Sequence, residues 1–128
     1  MKILFDTHIL LWAAGAPEKL PVPVLDILNA ADTEPVFSAA SIWEVAIKSG
    51  LGRTDFQVDA HALRRGLLDN GYEELAITGR HAAALVGLPS LHKDPFDRIL
   101  VAQAVTERIV LVTADTQLAQ YPGVDFRP

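Results

Sequence analysis

At 128 residues, half of them hydrophobic and 21% charged, the chain has the length and balance of one globular domain, residues 1–128, rather than of a disordered tail or a pair of folding units. The absence of cysteine removes disulfide frameworks, thiolate zinc sites and cysteine nucleophiles, and fits a reducing, cytoplasmic setting. A net charge of −5 argues against a broad basic grip on nucleic acid, and neither an export signal nor an apolar run long enough to cross a membrane is legible.

Lys2 to Phe5 is short and apolar, a buried strand that stops at Asp6. Thr7 to Gly15 follows directly as a helix, with Ile9, Leu10, Leu11 and Trp12 crowding one turn and Gly15 available to end it. Pro21 and Pro23 introduce a second helix, Val24 to Ala31, since proline suits a helix start. Pro35 to Ser38 reads as a second strand. Ser38 and Ser41 are both candidate N-caps for a helix through Ile42 to Lys48, which Gly50 ends. Gly52 to Phe56 has the composition of a loop, and Asp59 to Asn70 is an amphipathic helix with Leu63, Leu67 and Leu68 on one side. Tyr72 to Thr78 alternates enough for a strand, and Arg80 to Leu88 is alanine-rich and helical. After a loop from Pro89 to Lys93, Asp94-Pro95 opens the most strongly patterned helix, which runs to about Arg108. Ile109 to Thr113 is a further buried strand, followed by Asp115, a short turn around Leu118 and a terminal Val124 to Phe126.

Short apolar strands alternating with helices specify an α/β fold, a three-layer α/β/α sandwich around a mainly parallel sheet. Ligands of such sheets bind beyond the carboxyl ends of the strands, where Asp6 and Asp115 fall.

Helix capping offers a structural explanation for every acidic residue near these ends. Asp6 and Asp115 each precede a helical segment, Ser41 and Glu44 have the spacing of a capping box, and Asp94-Pro95 is an N-cap followed by proline, with Asp97 in the first turn. Asp97, however, shares its helix face with Leu100, Val101, Ala104 and Val105, so its carboxylate faces the sheet. Glu44 has Ile47 at i+3 and Lys48 at i+4, a mixed face at the edge of the same interior. If Asp6, Glu44, Asp97 and Asp115 converge, repulsion of about 4 kcal/mol per pair at 4 Å exceeds any capping gain. Such a cluster needs protons or a hard cation, and an all-oxygen donor set suits magnesium or manganese. Beside a phosphodiester, that combination supports hydrolysis at phosphorus.

Four stretches carry a family likeness: Phe5-Asp6-Thr7, Ser41-Ile42-Trp43-Glu44, His92-Lys93-Asp94-Pro95-Phe96-Asp97-Arg98 and Val112-Thr113-Ala114-Asp115. Together they resemble a PIN domain, in particular the VapC-type toxin ribonucleases of toxin–antitoxin pairs. The resemblance implies that Asp6, Glu44, Asp97 and Asp115 are catalytic, metal-binding carboxylates, with Asp115 binding directly, only through water, or not at all. It implies RNA as substrate, Mg2+ or Mn2+ as cofactor, a homodimer, and a small antitoxin as partner.

Thr7 and Thr113 are candidates to orient those carboxylates through their hydroxyls, and Lys48, Arg53, Lys93 and Arg98 are candidates to hold RNA phosphates. His8, His61, His81 and His92 share no ligand spacing and are not read as ligands. Trp12 and Trp43 are expected in the core or in an interface between copies, and Trp12, Leu11 and the leucine-rich helix after Asp59 supply apolar surface for self-association. Two rivals stand beside the nuclease reading. A PIN-like module without catalysis would bind RNA or protein with no metal, which the four carboxylates disfavour. A covalent phosphoryl-transfer protein would use Asp6 as nucleophile, but Asp6-Thr7-His8 lacks the second carboxylate of a D-x-D signature.

Overall fold

A computed structural model describes residues 1–52, 57–91, 94–121 and 123–126, and shows an α/β/α sandwich. Five strands, β1 (Lys2–Phe5), β2 (Glu34–Ser38), β3 (Glu73–Leu75), β4 (Val110–Thr113) and β5 (Val124–Phe126), lie in the order β3-β2-β1-β4-β5, and every neighbouring pair is parallel. Among the described residues six α-helices connect them: α1 (Thr7–Gly15), α2 (Val22–Asn29), α3 (Ala39–Ser49), α4 (Ala60–Asp69), α5 (Gly79–Ala84) and α6 (Pro95–Glu107).

The central strands β1 and β4 and the inner part of β2 are apolar and buried because both faces of the sheet are covered there. Successive residues of a strand point to opposite sides, and the core divides accordingly. Ile3, Phe5, Phe37 and Val112 join Ile9, Leu10, Val24, Val45, Leu63 and Leu67 in one cluster. Leu4, Val36 and Leu111 join Leu100, Val101, Ala104, Leu118 and Tyr121 in another. Burying each large apolar side chain contributes roughly 2 kcal/mol. The register, Leu4 beside both Val36 and Leu111, keeps each set on its own face.

Local chemistry accounts for the places where element bounds differ from the sequence reading. Helix α2 starts at Val22 with Pro23 inside its first turn. Of the two N-caps that the sequence offered, Ser38 is the one used: its hydroxyl accepts from the Ala40 N–H and helix α3 starts at Ala39. Ser41 is then an interior helical residue, so the expected Ser41–Glu44 capping box does not form. Strand β3 is only three residues long. Thr78 is used instead to cap α5, accepting from the His81 N–H while the His81 Nδ1 accepts from the Thr78 N–H, a capping box that the sequence reading missed. That leaves His81 Nε2 for Glu107 on α6 at 2.8 Å, which pins α5 to α6. The expected helix from Arg80 to Leu88 is α5 followed by a 3-10 turn at Leu85–Gly87. Leu68, expected beside Leu63 and Leu67, is exposed. Val105, expected on the buried face of α6, is exposed as well, whereas Leu100, Val101 and Ala104 are buried.

Candidate functional site

Strand order turns on β1: the chain proceeds from β1 outward through β2 to β3, and later returns on the other side with β4 and β5. A reversal of this kind leaves a crevice at the carboxyl ends of the two strands that flank it. Asp6 directly follows β1, Thr113 ends β4, and the register that sets Phe5 beside Val112 carries Asp6 towards Thr113, whose hydroxyl it meets. Helix α3 leaves the neighbouring strand β2 at Ser38 and brings Glu44 to the same edge.

The result is a polar cleft of about 200 Å³, lined by Asp6, Glu44, Asp94, Asp97 and Asp115 together with Thr7, His8, Lys48 and Gln117. A larger cavity, about 610 Å³, lies between α1 and α4 against Leu11, Ala13, Leu63, Leu67 and Tyr72. Its one carboxylate, Asp59, caps α4. The smaller cleft is therefore the candidate site, and the larger is an apolar groove.

Asp6 is 3% exposed. Its Oδ1 accepts from the Ile9 N–H at 2.9 Å, which makes it the N-cap of α1, and its Oδ2 accepts from the Thr113 hydroxyl in a very short hydrogen bond. Burial pushes the carboxyl above its ordinary value, against the pull of those two donors. Thr113 in turn accepts from the Asp115 N–H at 3.0 Å, so one hydroxyl ties both acids to the end of β4. The Asp115 carboxylate also accepts from the Gln117 N–H at 2.9 Å, capping the 3-10 turn at Thr116–Leu118. Capping and cleft lining thus coexist in Asp6 and Asp115.

Glu44 is 4% exposed and is no cap. Its Oε2 meets the Lys48 ammonium one helical turn on, at 2.5 Å. Its Oε1 is buried with no hydrogen-bond partner. A buried carboxylate oxygen with nothing to donate to it costs about 1–3 kcal/mol or more, and the cleft it lines is where that cost would be recovered. Asp97 is half-buried in the first turn of α6, and Asp94, which the sequence reading took only for the cap of that helix, caps it through Oδ1 and also lines the cleft. The signal for Asp94 was its position three residues before Asp97. Among the described residues no three His, Asp or Glu side chains form a ready-made metal-holding group. Asp6, Glu44 and Asp115 each have a local partner that orients the carboxylate.

The remaining candidates divide. The Thr7 hydroxyl donates to the Ser41 hydroxyl at 2.8 Å rather than to an acid, locking the first turn of α1 to α3. Thr113 holds Asp6 directly, and Lys48 lines the cleft. Arg98 does not line it: the half-buried guanidinium reaches the Leu85 carbonyl at 3.5 Å. Arg53, His92 and Lys93 lie outside the described residues. His8 lines the cleft, where its position beside Asp6 weakly favours the ionised acid. Trp12 packs partly buried against the core, whereas Trp43 is 57% exposed and edge-on to Phe96, with ring centroids 5.0 Å apart.

Comparison with known proteins bears on the family and the fold. A family model described as the PIN domain matches residues 3–124. Ribonuclease VapC22 of Mycobacterium tuberculosis is 28% identical over 120 residues, covering 93% of this chain and 91% of that protein. Among solved structures, VapBC2 from Rickettsia felis bound to a DNA fragment from its promoter superposes with a TM-score of 0.71 at 14% identity, covering the whole of both chains. A toxin–antitoxin complex from Klebsiella pneumoniae gives 0.64 at 23% identity, covering 96% of this chain and 95% of that one.

Proposed function

The chain belongs to the PIN-domain family, and from that premise we propose that it is a metal-dependent endoribonuclease, the toxin of a toxin–antitoxin pair. The observation that carries the chemistry is the buried, partnerless Oε1 of Glu44 in a cleft lined by four further carboxylates. Oxygen donors alone fit magnesium or manganese, and Asp6, Glu44 and Asp97, with Asp115 directly or through water, would hold the ion. When bound, such an ion supplies the positive charge that polarises a phosphoryl oxygen and makes water acidic enough to serve as nucleophile.

The protein's own groups do the rest. Thr113 holds the Asp6 carboxylate, Asp94 caps the helix that carries Asp97, and Ser38 caps the helix that carries Glu44. The acidic cleft repels polyanions, so the residues proposed to hold the cation also decide when RNA can approach. VapC22 is named a ribonuclease, and structures of similar fold are toxin–antitoxin complexes, which supports RNA as substrate and a small antitoxin as partner. We assign the exposed stripe of Trp43, Ile47 and Leu51 to a second copy in a homodimer. No described helix is long and apolar enough to cross a membrane, and we place the protein in the cytoplasm.

The test is cleavage of single-stranded RNA by the purified chain. Products should form with Mg2+ or Mn2+, stop with EDTA and return when the metal is restored in excess. Metal-independent binding without cleavage would favour the catalytically inactive module instead.

A further inference from the structure

Among the described residues, the cleft is lined by five carboxylates and a single lysine or arginine, Lys48. Its ammonium sits on Oε2 of Glu44 at 2.5 Å, while Oε1 stays open. The pair is unequal: Glu44 is almost wholly buried, whereas the Lys48 side chain is 37% exposed and free to swing outward on its four-carbon stem. An exposed i,i+4 pair on a helix is worth a few tenths of a kcal/mol, but here one partner would be a buried charge without a counter-ion if the other left. Lysine is therefore doing in the cleft what a cation would do.

We propose that Lys48 is a built-in counter-cation: it pairs with the Glu44 carboxylate and orients it while no metal is present, and it competes with metal for that carboxylate. This rests on the metal reading given above and adds to it a residue that sets affinity. Metal entering at Oε1 meets a positive charge one carboxylate width away, so binding requires Lys48 to withdraw or to share. Lys48 is a positioning residue in this scheme, holding Glu44 before the cation arrives.

Removing the charge should tighten metal binding. Free Mn2+ measured by electron paramagnetic resonance during titration of the full chain reads this without reference to cleavage. Lys48→Met should bind Mn2+ about tenfold more tightly than the wild type, the scale of one partly buried ion pair. Lys48→Gln, which keeps an N–H donor for Glu44 but no charge, should tighten likewise, and Lys48→Arg should stay within about twofold of wild type. In EDTA, Lys48→Met should melt below the wild type, because Glu44 then lacks any counter-charge.

If Lys48→Met and Lys48→Gln bind Mn2+ no more tightly than a wild type that does bind it, the counter-cation role is wrong and the metal reading stands. If the wild type takes up no Mn2+ at millimolar concentration, the metal reading fails and this proposal falls with it.

Discussion

Asp6 serves two opposed ends. As the cap of α1 and the acceptor for Thr113 it stabilises the junction of strand and helix, yet burial raises its carboxyl above the ordinary value, so its ionised form is a load on the fold. An acid whose folded pKa is raised contributes stability in full below its unfolded pKa and loses it as pH rises through the folded value, at about 1.4 kcal/mol for each unit of elevation. Without metal, Asp6→Asn should therefore be more stable than the wild type at neutral pH, since asparagine caps a helix as well as aspartate does. The advantage should shrink as pH falls toward the ordinary carboxylate range. Urea unfolding of both proteins in EDTA across that range reads it, and a difference that does not change with pH would show that Asp6 is not held above its ordinary value. Much of the residue-level chemistry was legible in sequence, because caps leave local spacing signals, as at Asp6, Asp94 and Asp115. The fate of Glu44 was not. Whether Ser38 or Ser41 began the helix depended on a hydroxyl-to-backbone bond that sequence presents equally at both.

Helix α3 shows what element-level patterning conceals. Its inner face, Ala40, Ser41, Glu44 and Val45, is buried, and its outer face carries Trp43 and Ile47, with Leu51 four residues further on, all exposed. Sequence alone placed the spare apolar surface on Trp12, Leu11 and the helix after Asp59. The structure instead leaves Trp12 packed on the core and leaves Leu11, with Leu63 and Leu67 of α4, lining the apolar groove. Trp12 and Trp43 both sit in apolar helical runs, and only the packing partner of each run tells them apart. The stripe on α3 should hold two copies together. Sedimentation at tens of micromolar should give a dimer for the wild type and a monomer for Trp43→Glu, and a monomeric wild type would contradict this placement. The shortening of β3 has a similar origin, since an edge strand with one neighbour yields its last residues to whichever cap is available, here Thr78 for α5.

At the scale of the whole molecule, the alternation of short apolar strands with helices was enough to specify a sandwich and a parallel sheet, because only full burial on both faces explains strands without polar alternation. Strand order was not legible. It depends on which strand ends meet, and the meeting of β1 with β4 brings residues 6 and 113 together across almost the entire chain. That long-range contact sets Asp6 and Asp115 side by side in the cleft that Glu44, Asp94 and Asp97 complete, and under the proposed function their mutual repulsion is what a bound cation would relieve. Asp97→Asn tests this most directly. The substitution keeps the shape of the side chain and removes one negative charge from among five, with about 0.3–1 kcal/mol of helix-dipole attraction lost alongside it. With activity on single-stranded RNA and thermal unfolding in EDTA measured on the same preparation, cleavage should fall at least about a hundredfold while the melting temperature holds or rises. An unfolded variant, or a folded one that cleaves as fast per molecule as the wild type, would contradict the account.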